Sequence, residues 1–151
     1  MRYWLMKSEP ETFGIEHLKK SPGRATMWDG VRNYQVRNML RDEFRKGDRA
    51  FFYHSSCATP GIVGVIEILC AGYPDPTAFM RGHRHYDPKS LRDSPRWYTV
   101  DVKFKRDLPL ISLDELRLQP TLAGMPLLKR GNRLSITPLS PEEWTTILAL
   151  R

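Results

Sequence analysis

Apolar and polar positions recur along this chain in two periods, and the switches between them mark its elements. Tyr3 to Met6 is continuously apolar and aromatic and is stopped by Ser8-Glu9-Pro10, the pattern of a buried strand running into a turn. Ile15 to Lys20 predicts a short helix ended by Ser21-Pro22-Gly23, and Thr26-Met27-Trp28-Asp29-Gly30 predicts a strand end and tight loop. Between Val31 and Phe44, Val36, Met39, Leu40 and Phe44 keep helical spacing, with Gly47-Asp48 as the stop; Arg37, Arg41 and Arg45 share another face of that helix. Arg49 to His54 predicts a strand covered on both faces, with Ala50, Phe52 and His54 on one and Phe51, Tyr53 and Ser55 on the other. After a loop from Ser56 to Pro60, Ile62 to Leu69 predicts its neighbour, with Gly64 where a barrel strand bends or another backbone comes close.

Periodicity then fails from Tyr73 to Pro95, a stretch of prolines, histidines and arginines that predicts a long structured loop. Trp97 to Phe104 alternates again, placing Tyr98, Val100, Val102 and Phe104 on one face and Trp97, Thr99, Asp101 and Lys103 on a polar one. Ser112-Leu113-Asp114-Glu115 and Ser140-Pro141-Glu142-Glu143 read as capping boxes, the second opening a final helix with Trp144, Ile147 and Leu148. Arg133 to Thr137 predicts a last strand with Leu134 and Ile136 inward and Arg133, Ser135 and Thr137 outward. About six strands with short flanking helices make an α+β, barrel-like domain.

Composition narrows the function. The 151 residues, 40% of them hydrophobic, fit a single domain over 1–151 that closes its own core. Lys and Arg number 24 against 17 Asp and Glu, and the resulting +7 favours polyanionic partners. The N-terminus lacks the apolar run of a signal peptide and no segment has the length of a membrane span, so a cytoplasmic protein without membrane attachment is expected. Cys57 and Cys70 are expected as reduced thiols. No phosphate-binding glycine loop is present: Gly61-Ile62-Val63-Gly64 sits inside a strand pattern. His83, His85 and Asp87 form at most a weak metal motif, and no metal or cofactor is expected. His54, Ser55, Ser56 and Cys57 collect a base and nucleophiles, but strand neighbours point to opposite faces, so binding fits them better than catalysis. Strand ends that gather His, Ser, Asn and Trp suit a flat heteroaromatic ring, which needs a π-face and fixed donors and acceptors at its edge.

Seven blocks carry a further signal: Lys7-Ser8-Glu9-Pro10, Trp28 to Asn38, Phe52-Tyr53-His54-Ser55, Gly61 to Gly64, Tyr73 to Thr77, Tyr86-Asp87-Pro88-Lys89 and Arg133-Leu134-Ser135. In this order and over essentially the whole chain, the sequence resembles the EVE-domain family, departing only at Val36, where a smaller Ala is expected. The resemblance implies a PUA-like fold, a compact β-barrel with flanking helices related to RNA-binding PUA and YTH domains. It also implies a pocket that reads a modified base, such as a modified cytosine, extruded from DNA or exposed in RNA.

The expected function is therefore a non-catalytic reader. Trp28 or Trp97 would stack the base, with Trp28 also suited to core packing. Ser8, Asn33, Tyr53, His54, Ser55, Arg133 and Ser135 would complete the pocket, Asn33 being equally suited to capping a helix. Arg32, Arg37, Arg41, Arg81, Arg84 and Lys89 would meet phosphates, in competition with plain solvation. A separately encoded nuclease or modification enzyme would be a fitting partner. Two rivals remain: an ASCH-like hydrolase of a modified nucleoside, using His54, Lys7 or Glu9 for proton transfer, and a small-molecule or nucleoside sensor.

Overall fold

The period-two runs become strands, of which β1, β3 and β4 are covered on both faces, and the longer helices lie where the 3.6-residue pattern placed them. A computed structural model describes residues 1–151. In chain order the elements are β1 (Tyr3–Ser8), α1 (Pro10–Phe13), α2 (Ile15–Lys20), β2 (Ala25–Met27), α3 (Tyr34–Asp42), β3 (Arg49–His54) and β4 (Gly61–Ile68). There follow β5 (Tyr73–Pro74), β6 (Tyr98–Thr99), β7 (Asp101–Ser112), α4 (Leu113–Arg117), β8 (Ile136–Leu139) and α5 (Pro141–Leu148).

Six strands form one sheet in the order β2-β7-β4-β3-β1-β8, while β5 and β6 pair separately. The β1–β3 pair is parallel and the other pairs are antiparallel. A parallel pair needs a crossover, and the segment bearing α1, α2, β2 and α3 supplies it. The expected closed barrel is corrected: β2 and β8 end the sheet without meeting. Both are too short, at three and four residues, to wrap round and pair. Register shifts in β3–β4 at Phe52/Tyr53 and in β4–β7 at Ile62/Gly64 and Val65/Ile66 mark where the sheet departs from regular pairing.

Trp4, Met6, Ala50, Phe52, Ile66 and Val102 bury one sheet face against α2, α3 and Phe44. Leu5, Phe51, Tyr53, Ile62 and Val65 bury the other against α4 and α5, where Trp144 stacks on Phe51 at 4.0 Å. Trp4 gives its indole N–H to the buried Asp48, whose carboxylate also accepts from the backbone N–H of Arg2 and Arg45. At Gly64 a Cβ would come within 2.2 Å of Ile15 Cδ1, so the expected close approach is real and is made by α2.

Several expectations change. The helix between Val31 and Phe44 starts at Tyr34 because Asn33 caps it, accepting from Val36 N–H at 3.0 Å. The Trp97–Phe104 strand is broken: β6 ends at Thr99, and β7 continues from Asp101 to Ser112. Trp97 and Thr99 do not face water; both are buried, Trp97 against Tyr34 and Asp87 and Thr99 against the Trp28 carbonyl. Residues 133 to 135 are irregular, β8 starts at Ile136, and Thr137 is buried rather than outward, opposite Leu5. Ser140 makes the full capping box with Glu143, whereas at Ser112 only the hydroxyl half forms and Glu115 turns to Arg151.

Candidate nucleic-acid interface

A cleft of about 350 Å³ opens where β1 and β2 end. Lys7 and Ser8 from β1, Thr12 and Phe13 from α1, and Thr26 and Met27 from β2 line it. The loop from Trp28 to Arg32, Arg84, His85 and Ser135 complete its wall. Trp28 is only 7% exposed, which leaves it one surface toward the cleft. It is wedged edge-on against Phe52 at 5.4 Å and Phe13 at 6.3 Å. Its backbone N–H donates to the Val100 carbonyl at 2.9 Å, and its own carbonyl accepts from the Thr99 hydroxyl. An aromatic wall held from behind by packing and from both backbone groups loses little freedom when a ligand arrives.

Asp75 anchors the loop that follows. Its fully buried carboxylate accepts from Gly30 N–H at 3.0 Å, Arg32 Nη1 at 3.1 Å, Thr77 N–H at 2.8 Å and the Thr77 hydroxyl at 2.6 Å. Burial alone would raise its pKa, but the bonds from Thr77, Gly30 and Arg32 outweigh it and hold the carboxyl below the usual range. Gly30 has a φ of +83°, and a Cβ there would meet the His85 ring at 2.4 Å, so no other residue fits. His85 Nδ1 lies 3.2 Å from Asp29 Oδ2 at the rim.

Lys7 brings a cation into this enclosure. Burial lowers its pKa, with no carboxylate offsetting the effect, so its ammonium has lost hydration without gaining an ion pair. The cleft thus holds donors at Lys7, Thr12 and Ser135, acceptors at Asp29 and at the Ser8 hydroxyl oxygen, whose hydrogen goes to the Phe13 carbonyl at 2.6 Å, and apolar surface at Phe13, Met27, Trp28 and Val31.

Of the pocket residues expected from sequence, Ser8, Trp28 and Ser135 meet here, joined by Arg32 and Arg84 from the phosphate set. The others stand elsewhere. Tyr53 is corrected: it belongs to the core on the opposite sheet face, one pleat away from His54. His54 Nε2 accepts from the Ile15 N–H that opens α2, at 3.1 Å, and burial lowers its pKa; it does not line the cleft. Ser55 joins Ser8 only through a backbone bond of 3.0 Å, and Asn33 is occupied as the α3 cap. Arg133 is exposed outside the cleft.

Trp97 is likewise outside the cleft. It stacks on Tyr34 at 4.8 Å and donates its indole N–H to Asp87 at 2.7 Å, a bond that holds that carboxyl below its usual range. Arg37 lies over Tyr34 and Arg32 over Trp97, making a ladder that braces α3 against the 75–97 segment. Arg32 also donates to the His85 carbonyl at 2.6 Å, so it is tied inward. Arg37 donates to the Arg96 carbonyl, and Arg41 pairs with Asp42 through two 2.8 Å bonds. Arg81 and Lys89 are exposed on the same irregular segment as Arg84. Sequence reasoning missed Lys7, Phe13 and His85 as neighbours of Trp28, and did not give the adjacent Asp29 a role in the pocket. The one available signal for Lys7 was that it shares a block with Ser8, since Phe13 and His85 arrive from other segments.

This arrangement defines a class: a mixed-sheet domain with an enclosed, basic-rimmed cleft walled by one tryptophan. The family profile described as EVE domain matches residues 2–150, and the chain belongs to the EVE-domain family. Human thymocyte nuclear protein 1 is 46% identical over 165 residues, covering 98% of this chain and 73% of that protein. A Pseudomonas putida protein of known structure superposes with a TM-score of 0.93 at 46% identity, covering 98% of each chain. The human THYN1 protein in complex with 5-methylcytosine-containing DNA superposes with a TM-score of 0.93 at 45% identity, covering 99% of this chain and 97% of that one. An ASCH protein from Zymomonas mobilis, 14% identical with a TM-score of 0.56, shares the fold alone.

Proposed function

We propose that this domain is a non-catalytic reader of a modified base in nucleic acid, with 5-methylcytosine in DNA as its leading ligand. The observation that carries the reading is the cleft itself: a preformed indole wall beside an unpaired Lys7 ammonium and the Asp29 carboxylate, in a chain 45% identical to a protein whose structure is a complex with 5-methylcytosine DNA. A cytosine edge offers an amino donor and ring acceptors, which Asp29 and Lys7 complement, while the apolar surface of Phe13, Met27 and Val31 suits a 5-methyl group. Arg84 at the rim, with Arg81 and Lys89 beyond it, serves the flanking phosphates.

The engagement of His54 by α2, away from the cleft, favours binding over hydrolysis. A release assay with acylated nucleosides separates the two, because turnover at substoichiometric protein cannot come from a reader.

The direct test is titration of short single- and double-stranded oligonucleotides carrying cytosine, 5-methylcytosine or 5-hydroxymethylcytosine, and of the matching RNA, in the presence of a chelator. A preference for a modified strand is expected. It should fall roughly 5- to 150-fold in Trp28→Leu, the range that corresponds to stacking one base. A melting curve on the same variant confirms folding. Equal affinity for all strands, or a preference that survives the substitution, overturns the reading.

A further inference from the structure

His83, His85 and Asp29 come from two loops far apart in sequence and converge at the rim of the cleft. Their ligating atoms lie within 4.8 Å of one another, and the two imidazole rings are 5.0 Å apart. The third partner is not the sequence neighbour Asp87, which is turned to Trp97 and Lys89. Residues 83 to 86 form a turn, with Tyr86 N–H donating to the His83 carbonyl, and this turn brings the rings to one side.

The surroundings of this triad are constrained. Asp75 holds Gly30 beside Asp29, and Arg32 holds the His85 carbonyl, so both loops are fixed to the same buried carboxylate network. The His85 and Asp29 side chains are 19% and 33% exposed, which leaves an entry path from solvent. The other two histidines are committed elsewhere, His17 to Gly14 N–H and His54 to Ile15 N–H.

We propose that His83, His85 and Asp29 bind a divalent first-row transition ion of the zinc class. Two imidazole nitrogens and one carboxylate oxygen suit zinc, cobalt or nickel rather than magnesium or calcium, which prefer oxygen donors. Three protein ligands leave a further coordination position for water. In tetrahedral geometry the ligand atoms stand about 3.3 Å apart at zinc bond lengths near 2.0–2.2 Å, so side-chain rotation closes the remaining gap. Binding replaces the present bond from His85 N–H to His83 Nδ1 and the His85–Asp29 contact, both near 3 Å. The ion would fasten the 83–85 turn to the loop after Trp28 and take up the Asp29 carboxylate.

The inference shares Asp29 with the base-reading proposal, but its test uses the metal alone, so the failure of one is distinguishable from the failure of the other. Isothermal titration of the chelator-stripped chain with Zn²⁺ should show one site, and Co²⁺ should give the visible absorption of a tetrahedral complex. A Cys57→Ser/Cys70→Ser background removes thiolate binding. In that background His83→Ala and Asp29→Asn should each weaken Zn²⁺ by tenfold or more, the least expected when a ligand is lost, since second-shell changes alone cost about 10- to 100-fold. Zn²⁺ should also raise the melting temperature of the parent and not of the variants, and Mg²⁺ should do neither. His83→Gln, closer in size, serves if His83→Ala fails to fold. Absence of a single Zn²⁺ site, or affinity unchanged in both ligand variants, overturns the proposal.

Discussion

Asp75, buried, and Lys7, half-buried, are charges of opposite fate. The Asp75 carboxyl sits below its unfolded value of about 3.9, because hydrogen bonds to the charged form outweigh its burial. Its contribution is therefore present above that value and lost as pH falls through the folded pKa. Thermal midpoints should drop as pH is taken from about 5 toward 2, and the drop should be shallower in Asp75→Ala. At neutral pH that variant should lose about 3 kcal/mol by denaturant titration, the low end for breaking a buried pair because Arg32 keeps some solvent. Lys7 has the reverse sign. Its pKa is lowered, so the unfolded state holds more protons between the folded value and about 10.4, and stability rises with pH across that window. Lys7→Met should raise the melting temperature while weakening nucleic-acid binding; a variant that loses both would mean that Lys7 is structural.

At the scale of elements, α2 fits onto the sheet with no room for a side chain at Gly64. A Cβ on Gly64 would lie 2.2 Å from Ile15 Cδ1 and 2.9 Å from the Arg106 carbonyl oxygen. Gly64→Ala should cost about 1–3 kcal/mol, the range for overpacking. Shortening the opposing side chain in Ile15→Val/Gly64→Ala should recover part of it, and a double-mutant cycle by denaturant unfolding reads the coupling. The helices and strands were legible where local chemistry decides them. Ser140 with Glu143 as capping box and the two-faced alternation of β3 appear as read, and of the two roles open to Asn33 the structure shows the helix cap. That same alternation already separated Tyr53 from His54, so placing both in one pocket contradicted a pattern visible in the sequence. The Trp97–Phe104 reading failed differently. Alternation tells the two faces of a strand apart but not which is covered, and the face that looked polar is buried at Trp97 and Thr99 while Lys103 stays exposed.

For the whole molecule, a net charge of +7 acts at long range whatever the details of the cleft. Affinity for DNA should fall about tenfold or more between 50 and 200 mM salt if several phosphates are met. Arg84→Ala should reduce the slope of log K against log salt by about 1 for all strands alike, while Arg37→Ala and Arg41→Ala, already paired within the chain, should change it little. Slopes measured by anisotropy titration decide this; a flat salt response removes the phosphate contacts.

The sequence by itself determined the family, most of the strands and helices and the basic charge, because these follow from local spacing, composition and contiguous blocks of residues. Only the tertiary structure decided that the sheet stays open, that Trp28 lines the cleft while Trp97 braces α3, and that Lys7, Phe13 and His85 surround Trp28. The reason is physical. Periodicity reports which residues share a face of one element, whereas a cleft is made where the ends of several elements meet. The parallel crossover between β1 and β3, and the Asp75 hydrogen bonds spanning more than forty residues, set that meeting place.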